Sequence, residues 1–139
     1  MTITGWLEPE EVAVYLAASD VCVAPYSVRA ALDPQGSETD WKRSLMKCSP
    51  LKIYTYMAMG KPVVAGGFKD GGERLVQWET GLAFKPGCAS ELAASIVKIL
   101  NDKVLGARLG ARGVERVNNH HTWAEVAKKI DICCLQKMV

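Results

Sequence analysis

The residues best suited to binding chemistry lie where a long polar stretch meets a predicted helix. Ser49 followed by Pro50 is a typical helix start, because serine caps free backbone amides and proline fixes the first helical turn. The free amides around Leu51 and Lys52 lie at the positive end of the helix dipole, which favours an anion such as a diphosphate. Lys47 or Lys52 would add positive charge to that site.

The spacing within this helix separates exposed candidates from packing residues. Lys52 and Thr55 are three residues apart and should share one side of the helix, whereas Ile53, Tyr54 and Met57 point elsewhere. An alternative stays open, because Ser-Pro also starts helices that bind nothing. The residues alone favour that structural role.

The glycine pairs Gly66-Gly67 and Gly71-Gly72 are a second place where a backbone could approach a phosphate. They do not form the G-x-G-x-x-G pattern or a P-loop, so a plain turn is the favoured interpretation. Glu73 follows the second pair, and we interpret it as a negative charge at the start of a short helix.

His120 and His121 are the only imidazoles available for acid-base work or metal binding. No cysteine or carboxylate has matching ligand spacing, so a turn between helices is favoured and no metal site is expected. Tyr26, Trp41 and Trp78 could stack on a base or a sugar, but single aromatic residues are more often packing residues.

The cysteines indicate a reducing environment rather than a disulfide framework. Their number is odd, two are adjacent, and none has C-x-x-C spacing. We therefore expect a cytoplasmic protein. Cys22 lies in the apolar run from Val21 to Ala24 and is predicted to be a core residue rather than a nucleophile.

The composition is that of an ordinary globular chain. Of 139 residues, 49% are hydrophobic and 23% are charged, and the formal net charge of +2 is too small for non-specific nucleic-acid binding. Apolar runs of about five residues are far shorter than the ~20 that a membrane span needs, and no signal peptide is visible. The length permits one domain with a core of its own.

Helices and short apolar strands alternate along the chain. Because the strand runs are continuously apolar, they predict a parallel sheet covered on both faces, a doubly wound α/β fold of three strands, or four if Thr2 to Gly5 contributes. The predicted strands are 21–25, which is closed by its proline, 62–65 and 81–84. The predicted helices are 9–18, 50–59, 73–77, one covering Leu92 to Leu100, and one from Asp102 to about Val117. A last helix is predicted to begin at a capping box formed by Thr122 and Glu125. Its predicted buried stripe is Trp123, Val126, Ile130 and Cys134.

Five blocks of the sequence resemble, in order and spacing, the C-terminal nucleotide-sugar-binding domain of the group 1 glycosyltransferases, which are retaining enzymes of the GT-B fold. The most specific block is the run from Ser49 to Ala65, SPLKIYTYMAMGKPVVA. The other four are Gly5-Trp6-Leu7, the run from Ala18 to Tyr26, the run from Thr80 to Gly87, and Thr122-Trp123. The resemblance covers nearly the whole chain and matches least at residues 28–48 and at the last few residues.

The resemblance implies transfer of a sugar from a nucleotide-sugar donor, without a metal or another cofactor. It places the donor in this domain and the acceptor mainly in an N-terminal one. In the family, the helix that starts here gives backbone amides to the donor diphosphate, so the implied nucleotide-binding residues are Ser49, Leu51, Lys52, Thr55 and Lys47.

Two departures from the family pattern bear on activity. Family members often carry a pair of glutamates, of which the later commonly binds the ribose and the earlier contacts the sugar. Thr55 and Lys47 stand at those two positions here, and neither is an acid. Strands that carry a basic pair for the leaving diphosphate would precede Gly5, so we expect residues 1–139 to be a partial donor-binding domain, inactive alone.

The main alternative is a non-catalytic nucleotide-binding or assembly module derived from a glycosyltransferase. Missing strands would leave an exposed sheet edge that pairs with another chain, so a homodimer is expected in that case. The base and sugar of the donor and the identity of the acceptor are beyond what the residues define.

Overall fold

The structure, a computed structural model, describes residues 1–25, 51–66 and 72–136. Its helices and strands alternate as an α/β fold. In chain order the elements are α1 (Pro9–Ala18), β1 (Cys22–Ala24), α2 (Leu51–Ala58), β2 (Val63–Gly66), α3 (Gly72–Gln77), β3 (Gly81–Phe84), α4 (Ala89–Asn101), α5 (Lys103–His120) and α6 (Trp123–Gln136). The predicted bounds agree with these to within a few residues.

The three strands form one parallel sheet in the order β1-β2-β3. Cys22 pairs with Val63 in the register of β1 and β2, and Val63 pairs with Gly81 in that of β2 and β3. All four residues of the central strand β2 are buried, as expected for a parallel strand covered on both faces.

Helices cover both faces of the sheet, each over its own apolar cluster. On one face, residues of α2, α3 and α5 pack on the strands in a cluster of Ala24, Ile53, Met57, Val63, Ala65, Leu75 and Val117. On the other face, α4 and α5 contribute to a cluster of Val64, Phe84, Ile99 and Leu109. The predicted doubly wound arrangement is therefore confirmed.

The end of α2 is fixed by a glycine in the left-handed region. Gly60 has a φ of +68°, which L side chains rarely adopt. Its N–H donates to the carbonyl of Met57 at 2.9 Å, and the N–H of Lys61 donates to the carbonyl of Tyr56 at 3.1 Å. These two bonds form a Schellman motif, so the sequence Gly60-Lys61-Pro62 ends the helix as predicted.

Side-chain caps start three other helices. Asp102 accepts a hydrogen bond from the N–H of Leu105 at 2.8 Å, and Thr122 accepts one from the N–H of Glu125 at 3.2 Å, as predicted. The start of α1 has a cap that the sequence analysis missed, because the backbone N–H of Glu8 donates to the Glu11 carboxylate at 3.0 Å.

The predicted buried stripe of α6 is wrong, although the helix and its cap are present. Trp123 is 85% exposed and Ile130 is 57% exposed, and Val126 and Cys134 are exposed as well. Helices α2 to α5 already cover both faces of the sheet, so the sheet has no uncovered face for this stripe. The periodicity identified the helix correctly but not its neighbours.

The possible fourth strand is also wrong. Residues 1–6 are all exposed, and Thr2 to Gly5 pairs with no described strand. An extended run without a neighbour that offers backbone hydrogen bonds does not become a strand. Among the helices in the described ranges, none is both long enough and apolar enough to span a membrane.

Replacing Gly110 with alanine should destabilise the fold, because α5 crosses the end of α2 at this residue. A Cβ atom on Gly110 would collide with the carbonyl oxygen of Gly60. We expect Gly110→Ala to lower the free energy of unfolding by about 1–3 kcal/mol, the usual cost of overpacking, measured by urea denaturation.

Gly106→Ala is the matched control for this prediction, since it lies one turn earlier on α5. A Cβ there would meet the side chain of Ile99 at 3.4 Å, an ordinary contact. Alanine in a helix interior is favoured over glycine by about 1 kcal/mol, so Gly106→Ala should be neutral or stabilising. Equal destabilisation by both variants would contradict the close approach at Gly110.

Candidate functional site

The first turn of α2 lies at the carboxyl end of the sheet. In a parallel α/β unit the helix runs opposite to its strands, and α2 ends at Ala58, shortly before β2 begins at Val63. Ile53 and Met57 hold α2 against the sheet, with exposed fractions of 2% and 0%. This is the edge at which ligands of open α/β sheets bind.

The candidate binding residues of α2 face away from the core. Leu51 is 67% exposed, and Lys52 and Thr55 are exposed too, whereas Ile53 and Met57 are buried. The three-residue spacing therefore brings Lys52 and Thr55 to one accessible side of the helix, as predicted. The other two candidates, Lys47 and Ser49, lie outside the described residues, as do Tyr26 and Trp41.

The hydroxyl of Thr55 is turned toward its own helix. Its Oγ1 donates to the backbone carbonyl of Leu51 at 3.2 Å. The proton is used in that bond, but the oxygen keeps lone pairs that can accept a hydrogen bond from a ligand hydroxyl. Thr55 is thus equipped to accept, without the charge that a carboxylate would bring.

A stack of rings joins the first turn of α2 to the end of α5. The His121 ring lies on the Tyr54 ring with centroids 4.6 Å apart and an interplanar angle of 29°, and its centroid is 5.1 Å from that of Trp78. The guanidinium of Arg116 lies over the Trp78 ring, 4.4 Å from its centroid. Tyr54 therefore anchors the candidate site to α5 through aromatic contacts.

His121 is held in its neutral form. Burial lowers the pKa of its imidazole, and the positive charges of Arg116, Lys129, His120 and Arg74 lower it further. A charged ring would lose hydration and face four like charges. Neutral His121 is therefore the form that stacks on Tyr54 and Trp78.

Cys22 and Glu73, two further residues considered in the sequence, stabilise the fold rather than form a site. Cys22 is 5% exposed, and burial raises the pKa of its thiol while the nearby Lys61 charge acts in the opposite direction. A buried thiol that stays protonated is a core residue, not a nucleophile, as predicted. Glu73 lies in the first turn of α3, where its charge suits the helix dipole.

Gly72 and the two histidines also lie at positions that the fold itself requires. Gly72 begins α3 so close to the sheet that an added Cβ would lie 2.7 Å from the carbonyl oxygen of Ala65. Gly67 and Gly71 lie outside the described residues. His120 ends α5 and His121 follows it, in the predicted turn between helices. No set of three histidine, cysteine, aspartate or glutamate side chains in 1–25, 51–66 and 72–136 could hold a metal.

The family model for group 1 glycosyl transferases matches residues 1–102. The chain belongs to this family. The predicted resemblance is thereby confirmed over the part of the sequence that carries β1, α2, β2 and β3. Comparison of the sequence with functionally curated proteins found no match.

A solved structure extends the likeness of this member of the glycosyltransferase family to its C-terminal helices. Sucrose-phosphate synthase from Thermosynechococcus elongatus matches with a TM-score of 0.70 and 31% sequence identity. The match covers 99% of the present chain and 30% of the synthase chain. The chain thus has the fold of part of a GT-B enzyme and spans less than a third of that relative.

The ring cluster of Tyr54, Trp78, Arg116 and His121 was missed as a unit by the sequence analysis. Its members come from two helices and two turns and are separated by up to 67 positions, from 54 to 121. No local pattern connects them, because contact between α2 and α5 brings them together only in the folded chain.

Acid should destabilise the folded chain through His121. The pKa of His121 is lowered in the folded state, so its contribution is fully present above its unfolded pKa of about 6.5 and is lost as pH falls through the folded value. We expect the unfolding free energy to fall on going from pH 7.5 to pH 5.5. His121→Phe, which keeps a stacking ring but cannot titrate, should flatten that dependence.

His120→Phe is the matched control, because the two histidines are adjacent and His121 is the one whose ring contacts both Tyr54 and Trp78. This control should retain most of the pH dependence of the parent, because burial is the first cause of the lowered pKa of His121 and the His120 charge is a lesser one. Urea unfolding at several pH values measures it, and an unchanged slope in His121→Phe would exclude His121 as its source.

Proposed function

We propose that the first turn of α2 binds the diphosphate of a nucleotide-sugar donor. The observation that carries this proposal is the placement of Leu51, Lys52 and Thr55 on the exposed side of a helix start, at the carboxyl end of the sheet, in a member of a glycosyltransferase family. Backbone amides at such a helix start, supported by its dipole, suit a diphosphate. Lys52 would add charge, and Ser49 and Lys47 are proposed to complete the site.

The proposed reaction is transfer of the donor sugar to an acceptor with retention at the anomeric carbon. In this proposal residues 1–139 supply part of the donor site, while the acceptor site and the groups that stabilise the leaving diphosphate are supplied by other parts of a full enzyme. The match to 30% of the synthase chain supports this division. The isolated chain should then bind donor without turning it over, since leaving-group stabilisation is a large part of catalysis.

The ribose is proposed to lie against Thr55. Because the Thr55 proton is given to the carbonyl of Leu51, the ribose hydroxyl must donate and Thr55 must accept. A neutral acceptor forms a weaker bond than a carboxylate, so the affinity for nucleotide should be modest.

An assembly module is the second candidate function. Strand β1 has one neighbour, β2, among the described strands, and its other edge is unpaired there. An unpaired edge can add a strand from a second copy, which would give a homodimer. This second function applies only if the chain binds no nucleotide.

We also propose a cytoplasmic location, because the number of cysteines is odd and their spacing does not suggest a disulfide framework.

Uridine and guanosine diphosphates should bind to the chain, and Lys52→Ala should weaken that binding. Loss of one cationic hydrogen-bond donor to phosphate should cost roughly tenfold in Kd, measured by isothermal titration calorimetry. Lys98→Ala, at an exposed position on α4, is the matched control and should leave Kd unchanged. Light scattering would be recorded on the same samples.

The two functions give different results in this experiment. A monomer that binds a diphosphate and loses affinity in Lys52→Ala supports the donor site. A dimer that binds neither nucleotide would contradict the donor site and support the assembly module. Equal Kd values for the parent and Lys52→Ala would remove the Lys52 side chain from the proposed contacts.

Thr55→Glu should tighten nucleotide binding, because a carboxylate accepts a stronger, charge-assisted hydrogen bond from a ribose hydroxyl. The expected gain is roughly tenfold in Kd by the same calorimetry. Thr55→Gln is the control without charge and should gain less. If Thr55→Glu weakened binding in line with simple charge repulsion, the placement of the ribose at Thr55 would be wrong.

A further inference from the structure

A cavity lies beside the C-terminal half of α5, apart from the exposed side of α2. Its volume is about 260 Å³. The lining residues are Trp78, Arg112, Glu115, Arg116, Asn119 and His120. All but Trp78 belong to α5, so one helix presents the polar groups and the Trp78 indole adds an aromatic surface.

Arg116 is the central group of this cavity. Its guanidinium lies over the Trp78 ring at 4.4 Å from the centroid, so the ring covers one face of the guanidinium and leaves its N–H edge for a ligand. Nε of Arg116 is buried and has no hydrogen-bond partner among the described residues. Nor do the described carboxylates form an ion pair with Arg116, in contrast to Arg112, which pairs with Glu79.

The surroundings add positive charge to that of Arg116. The guanidinium of Arg74 lies 5.8 Å from the Trp78 centroid, and Lys129 donates to the backbone carbonyl of His120 at 3.3 Å. This last bond satisfies a carbonyl at the C-terminal end of α5, which would otherwise repel an anion. A guanidinium edge in a partly desolvated, cationic setting is a typical oxyanion site.

We propose that this cavity binds a phosphate group, either as inorganic phosphate or as a small phosphate monoester. The edge of the Arg116 guanidinium would hold two phosphate oxygens, and Asn119 and His120, three and four residues later on α5, are placed to donate to the others. The cavity is below the roughly 300–1,000 Å³ of sites for drug-sized ligands, so it suits a small anion rather than a whole nucleotide sugar.

Glu115 limits the affinity of the proposed site. Its carboxylate lines the same cavity and forms no ion pair with a described residue. A carboxylate beside a bound phosphate repels it, and a neutral isostere removes that repulsion. Glu115 therefore offers a variant that should strengthen binding without removing a contact to Trp78.

The test measures phosphate binding to the full chain by isothermal titration calorimetry at constant ionic strength, with inorganic phosphate and glycerol 2-phosphate as probes. Arg116→Gln should weaken the tighter of the two by roughly tenfold or more. Arg108→Gln removes the same charge from an exposed position on α5 outside the cavity and should change Kd by less than about twofold. Glu115→Gln should tighten binding.

The site is supported if phosphate binding is saturable and is tightened by Glu115→Gln, nearly unchanged by Arg108→Gln and weakened by Arg116→Gln. The probe that binds more tightly then shows whether the ligand is the free phosphate ion or a phosphate monoester. Absence of saturable binding of both probes overturns it, as does equal weakening by Arg116→Gln and Arg108→Gln. If Arg116→Gln fails to fold, the Glu115→Gln result decides, and no tightening overturns the proposal. The three variants Arg116→Gln, Glu115→Gln and Arg108→Gln all lie on α5 and none is on α2, so their order is independent of the proposed donor site.

Discussion

The close approach of α5 to α2 is the constraint on which the rest of the structure depends. Gly60 needs a left-handed conformation to end α2, and Gly110 lacks the Cβ that would strike the Gly60 carbonyl. One turn later, a Cβ on Gly113 would lie 3.3 Å from that of Met57. The two helices therefore pack with their backbones nearly in contact, which places the end of α5 beside the first turn of α2.

This contact connects the fold to the candidate donor site. Because α5 is close, His121 reaches Tyr54 on the first turn of α2 and Trp78 reaches Arg116. Ile53 and Met57 fix the buried side of α2, and the ring stack supports its flank, so the exposed side with Lys52 and Thr55 has a rigid base. A binding helix held from two sides loses less conformational entropy when a ligand arrives.

Local patterns were enough to predict most elements but not their partners. The Gly60-Lys61-Pro62 stop and the apolar run of β2 are complete within a few residues, so their helix and strand assignments hold. The exposed stripe of α6 and the ring cluster depend on what is near in space. Trp123 and His121 are two positions apart, yet one is 85% exposed and the other lies between two rings. Periodicity cannot make that distinction.

The exposure of α6 also determines which part of the chain unfolds locally most easily. Every residue of α6 with a described side chain is exposed except Glu125, which is partly buried, so melting this helix would uncover little additional apolar surface. Its backbone hydrogen bonds would then break in local fluctuations with a small free-energy cost, whereas those of β2 would break only when the whole sheet unfolds. Amide hydrogen exchange along the chain should accordingly have two levels, fast in α6 and slow in β2.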